Sequence, residues 1–186
     1  MKKYFVFIGL AFMLLLSACG NGAGNDNTQA SDSMGHSNMG QEMNHNGSSE
    51  VPAGLKEAAN PKFPVGSQVI INADHMPGMN GATATIVGAF DTTVYAVSYK
   101  PTNDGPEVTN HKWVIHEELK DPGSSPLAKG SKVTLEADHM EGMKGAEATI
   151  DSAEQTTVYM LDYMPTTGGE PVKNHMWVVE SELNGK

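Results

Sequence analysis

The chain has 186 residues, 39% of them hydrophobic and 18% charged, which suits one ordinary domain or two very small ones and excludes a large multidomain enzyme. Its 22 carboxylates outnumber twelve cations for a formal charge of −10, and every cation is lysine, so nucleic acid is not an expected partner. Seven His and twelve Met form a surplus that an ordinary core does not need.

Met1-Lys2-Lys3 followed by the apolar run Tyr4 to Leu16 reads as a secretory signal, too short for a comfortable membrane span. It ends in Leu16-Ser17-Ala18-Cys19, which resembles the lipobox of bacterial lipoproteins. The resemblance implies processing before Cys19 and lipid on its sulfur, with residues 1–19 the signal and the mature protein held at the extracytoplasmic face of the cell membrane. Cys19 is the chain's one cysteine, so no thiol is left to bind metal. Thioether and imidazole then remain as ligands for a soft ion, and these are the two groups in excess. Loss of Lys2 and Lys3 makes the mature chain still more acidic, so the membrane contact is the lipid and not a basic patch.

Residues 20–60 read as a disordered, Met/His-rich tether, with Gly20 to Glu50 built largely from Gly, Asn, Ser, Gln and Asp and so unable to offset its ordering entropy by burial. Within it, Met34, His36, Met39, Met43 and His45 alternate at spacings from which a flexible chain could wrap a soft ion; the plainer alternative is a low-complexity spacer.

From Gly66 onward the chain repeats itself. A shift of 64 positions aligns Gly66–Leu119 with Gly130–Leu183 without a gap, and about 30 of 54 positions are identical. Two modules follow, 61–121 and 126–184, joined by the stiff linker Asp121-Pro122-Gly123-Ser124-Ser125-Pro126. In the first module, Val69 and Ile71, then Ala82, Ala84 and Ile86, then Val94 alternate as strands do, with Val97 and Tyr99 on the other parity and Trp113-Val114-Ile115 as a closing strand. Turns are expected at Gly78, Gly81, Asp91-Thr92 and Asn103-Asp104-Gly105-Pro106. The predicted fold is mainly β, two tandem small SH3-like barrels with edges protected by closure. Trp113, Trp177, Tyr95 and Tyr159 are expected in the core, and the acidic residues on a solvated surface.

The best-matched run is Asp74-His75-Met76-Pro77-Gly78-Met79 against Asp138-His139-Met140-Glu141-Gly142-Met143. Each copy sets one imidazole and two thioethers within six residues, the Met pair folded back across a turn. That soft, low-charge set suits Cu(I) or Ag(I) better than Zn, Ca or Mg. Asp74 or Asp138 is placed to orient the neighbouring imidazole. His111 and His175, in matched Asn-His-x-Trp-Val runs, are further candidate ligands, and Met176, where the first module has Lys112, enriches one copy. The structural alternative is that the Met residues cap barrel ends and that His111 and His175 are satisfied core groups. No nucleophile elbow, phosphate loop or zinc-protease helix is present, so a non-enzyme is expected.

The repeated Ala-Asp-His-Met-x-Gly-Met-x-Gly-Ala, Thr-Thr-Val-Tyr and Asn-His-x-Trp-Val runs resemble the YdhK family of bacterial lipoproteins, which carry two copies of one small domain and include the copper-binding CopL type. The resemblance implies copper binding and protection against copper toxicity, with the ion either buffered in place or passed to a copper exporter. A rival from another class is a tandem barrel that binds cell-wall polymer or a protein partner, with no metal role.

Overall fold

The structure is a computed structural model that describes residues 50–186. It is built from strands β1 (Lys56–Glu57), β2 (Gln68–Ile71), β3 (Thr83–Tyr99), β4 (Val108–Ile115), β5 (Lys132–Thr134), β6 (Glu147–Tyr163), β7 (Val172–Val179) and β8 (Leu183–Gly185). Single 3-10 turns at His116–Glu118 and Glu180–Glu182 follow β4 and β7. The mainly β class and the two duplicated repeats are as the sequence indicates.

The repeats are joined more closely than tandem modules. β3 and β6 are each 17 residues long and pair antiparallel from Ala84↔Tyr163 to Tyr99↔Ala148, with Thr92↔Thr156 near the middle. The turn expected at Asp91-Thr92 is absent, because Asp91-Thr92-Thr93-Val94 has no glycine for a tight hairpin and its β-branched residues favour an extended strand. Each long strand therefore leaves its own repeat at mid-length and completes the other.

The first half of β3 pairs with β2, and β2 with β8, while the second half of β6 pairs with β7. The 3-10 turn Glu180–Glu182 links β7 to β8 and closes this five-stranded lobe. Its counterpart comprises β5, the first half of β6, the second half of β3 and β4, closed by the bridge Leu119↔Leu135. Each lobe keeps the small-barrel form, but strands of both repeats build it, and the linker at Asp121–Pro126 divides the repeats and not the lobes.

The cores follow the exchange. One packs Val69, Ile71, Met79 and Ile86 against Tyr159, Leu161 and Tyr163. The second packs Tyr95, Val97 and Tyr99 against Leu135, Met143 and Ile150. A third, at the crossover, joins Trp113 and Trp177 with Phe90, Val94 and Val158. Trp113, Trp177, Tyr95 and Tyr159 are thus core residues, as expected.

The end of the expected tether is folded. β1 pairs with Phe90 and Asp91 of β3, and Val51, Leu55 and Ala58 pack on the cores, because this stretch supplies the aliphatic groups that the preceding Gly/Asn/Ser run lacks. Cys19, Met34, His36, Met39, Met43 and His45 lie outside the described residues.

Candidate functional site

The two His-Met turns begin where β2 and β5 end. In the first, the Met79 N–H donates to the Met76 carbonyl at 3.2 Å, and in the second the Met143 N–H donates to Met140 at 3.1 Å. Gly78 and Gly142 take φ of 77° in these turns, a conformation that glycine adopts without penalty. Both glycines also face the other repeat. The Gly78 carbonyl accepts the Thr166 N–H at 2.8 Å and the Gly142 carbonyl the Thr102 N–H at 2.9 Å. A Cβ on Gly78 would come within 2.5 Å of Thr167 Oγ1, so only a bare backbone fits.

Asn110 and Asn174 position the second pair of histidines. They hold left-handed φ of 51° and 49°, which Asn tolerates better than most residues, and their N–H groups donate to Ser98 Oγ and Asp162 Oδ1. The register of β4 on β3 and of β7 on β6 shifts around these positions, and the following His111 and His175 pack edge-on against Tyr99 and Tyr163.

These elements meet in one cleft of about 520 Å³ between the repeats. His75, His111, His139 and His175 all line it, with Met76, Met140 and Met176. The His111 and His139 ring centroids, one from each repeat, are 6.1 Å apart. The two His-Met turns, one in each repeat, therefore line one shared cleft and not two separate ones. A second cleft of about 640 Å³ is lined by Lys56, His116, Asp91, Glu117 and mainly hydroxyl side chains, with no thioether, so size does not select between them.

Met79 and Met143 do not reach this cleft. Both are fully buried, each in the core of its lobe. The turn brings the Met backbones together as expected but sends the first side chain to the cleft and the second inward, so the packing reading holds for Met79 and Met143 and the expectation that they are ligands is corrected. Met176 lines the cleft, and so does its counterpart Lys112, whose Nζ lies 5.0 Å from the centroid of the Trp113 ring.

The carboxylates that hold the imidazoles are not the adjacent Asp74 and Asp138. His75 Nε2 lies 2.9 Å from Glu182 Oε1, and His139 Nε2 lies 2.7 Å from Glu118 Oε1. Each Glu belongs to the opposite repeat and also accepts a tryptophan N–H, from Trp113 at 2.9 Å and from Trp177 at 3.1 Å. The backbone N–H groups of Val179 and Ile115 complete the two sets at 3.1 Å. Burial would raise the Glu182 carboxyl, but the hydrogen bond and charge of His75, with the Trp113 and Val179 donors, outweigh it and leave the group below its ordinary range. Sequence reading placed the acidic residues on a solvated surface because most of them fall at strand ends and turns. Only the matched Glu-Leu ending of the two repeats marked Glu118 and Glu182.

The thioethers are held across the repeats too. Tyr163 Oη donates to Met76 Sδ at 3.7 Å, and Tyr99 Oη to Met140 Sδ at 3.9 Å. Burial pushes both phenols up, so they stay protonated donors. Among the described residues no three His, Cys, Asp or Glu side chains form a group fit to hold a metal ion.

A model of the family described as "Protein of unknown function (DUF1541)" matches residues 65–116 and 129–180. The chain belongs to the DUF1541 family. Its two DUF1541 repeats are the duplicated units seen in the sequence, and they carry all four cleft histidines between them. The chain is 59% identical over 179 residues to the uncharacterized protein YdhK of Bacillus subtilis strain 168, spanning 95% of this chain and 86% of YdhK. A crystal structure of YdhK, a DUF1541 protein, at 2.00 Å resolution matches with a TM-score of 0.75 and 64% identity over 78% of this chain and 99% of that one. A solution structure of the YdhK C-terminal domain matches with a TM-score of 0.64 and 65% identity over 66% of this chain and 93% of that one.

Proposed function

We propose that this DUF1541 protein is a non-enzymatic, copper-binding lipoprotein, anchored through lipid on Cys19 at the extracytoplasmic face of the membrane, that sequesters Cu(I) and protects the cell from it. The observation that carries the reading is the convergence of four imidazoles and three thioethers from both repeats in one cleft. Neutral nitrogen and sulfur donors without thiolate match a soft monovalent ion, and Ag(I) shares that preference. His75 Nδ1 is buried with no hydrogen-bond partner among the described residues, a polar atom that a bound cation would satisfy. The tether ligands Met34, His36, Met39, Met43 and His45 would extend capture outward, and the ion would be buffered there or passed to an exporter.

Competition of the mature chain with a Cu(I) chelator tests this, using a tether stripped of Met and His so that only the cleft is read. Binding that survives in the stripped chain and weakens when Met76 and Met140 become Leu is the expected result. Equal binding by a variant with all seven cleft His and Met replaced would reject it. Retention on cell-wall polymer, undiminished by those changes, would favour the rival reading.

A further inference from the structure

His75 and His139 are each gripped by a carboxylate of the opposite repeat, and this grip bears on which nitrogen is free to bind. We propose that Glu182 is a positioning residue for the soft-cation site, fixing the His75 proton on Nε2 and so leaving the lone pair on Nδ1, the ring nitrogen that has no hydrogen-bond partner among the described residues. The proposal rests on the cation-binding reading above and adds to it the residue that prepares the ligand and the nitrogen that binds.

An ionised carboxylate only accepts hydrogen bonds. Glu182 accepts Trp113 Nε1–H and the Val179 N–H through Oε2 and meets His75 Nε2 with Oε1 at 2.9 Å, so as a carboxylate it takes a third donor there and His75 Nε2 donates. In the neutral ring the other nitrogen then carries the lone pair, and Nδ1 is the buried atom with no partner among the described residues. The ring edge-packs on Trp113, with centroids 6.5 Å apart, and Trp113 donates to the same carboxylate through Nε1. Imidazole and indole are thus locked by one group from the other repeat, in the manner by which outer carboxylates fix metal-binding histidines. A thioether neighbour, Met76, is fixed by the same repeat through Tyr163.

Glu182→Gln separates this role from simple packing. Oε2 of Glu182 takes two donors, Trp113 Nε1–H and the Val179 N–H, whereas Oε1 faces His75 Nε2. The amide oxygen of Gln therefore settles on the two-donor side and turns its NH₂ toward His75. Nε2 must then accept, and the proton moves to Nδ1, which removes the lone pair from that nitrogen.

Imidazole ¹⁵N resonances of the full mature chain, recorded at mildly alkaline pH and then titrated with Cu(I), read tautomer and binding at His75 itself. The unaltered chain should show the Nε2–H tautomer and lose it to Cu(I) at Nδ1. Glu182→Gln should show Nδ1–H and bind at His75 about tenfold or more weakly. An Nδ1–H tautomer in the unaltered chain would overturn the proposal without recourse to the variant. A swapped tautomer with unchanged Cu(I) affinity would overturn the positioning role but leave copper binding standing. No response of any cleft histidine to Cu(I) in the unaltered chain would overturn both.

Discussion

Met76 lines the cleft while Met79 three residues on is fully buried in the lobe core, and that difference separates candidate ligand from core residue more sharply than spacing does. The sequence shows two thioethers per turn, but a three-residue spacing across a turn does not say which points outward, since that depends on strands supplied by the other repeat. Met79→Leu and Met143→Leu should keep Cu(I) affinity and cost less than about 1.5 kcal/mol each in urea unfolding, because volume and apolarity are conserved. Loss of affinity in these variants, with folding intact, would return the core methionines to the site. Glu118 is a different case. It is buried, with donors from His139, Trp177 and Ile115, so Glu118→Ala should cost roughly 3 kcal/mol or more by leaving them unsatisfied; an unchanged urea midpoint would show the network to be dispensable. Glu182, lowered in the folded state, contributes stability that is fully present above its unfolded carboxylate range and is lost as pH falls through its folded value. Urea midpoints should thus hold from neutral pH to the ordinary carboxylate range and drop below it, and Glu182→Gln should flatten part of that acid limb.

At the scale of the element, strand positions were legible because alternation is local. Val69, Ile71, Ala84 and Ile86 are inward residues of β2 and β3, as their spacing indicates. The path of β3 beyond Asp91 was not legible, because a polar Asp-Thr step serves equally as a hairpin or as the middle of a long strand paired to a polar stretch. Here it faces Thr156 and Thr157, and Thr157 Oγ1 donates to Asp91 Oδ1 at 2.8 Å. Such an exchange makes each repeat incomplete by itself. Residues 61–121 alone should be unfolded at low concentration and should associate at high concentration into a dimer that restores the β3–β6 pairing with two copies of β3, which sedimentation measures directly. A folded monomer would contradict the exchange. Gly78→Ala, with a positive φ and a Cβ meeting Thr167 of the other repeat, should lower stability by at least about 1 kcal/mol; neutrality there would mean that the Pro-Thr turn is not docked as described.

For the whole molecule, duplication and class were legible and the joint site was not. Motifs counted along the chain suggested one ion per repeat, whereas the exchange of strands brings His75 and Met76 to the same cleft as His139 and Met140. Each repeat's cleft His and Met are held by the other repeat, since Glu182 and Tyr163 contact His75 and Met76 while Glu118 and Tyr99 contact His139 and Met140. On the proposed function, binding is linked to folding across the repeats, and Cu(I) should raise the stability of both lobes together. Methyl resonances of the methionines, followed while Cu(I) is added to the mature chain, test this shared site most directly. Met76, Met140 and Met176 should respond together over the same range of added ion while Met79 and Met143 stay in place; separate titration of Met76 and Met140, or a response confined to Met34, Met39 and Met43, would contradict it.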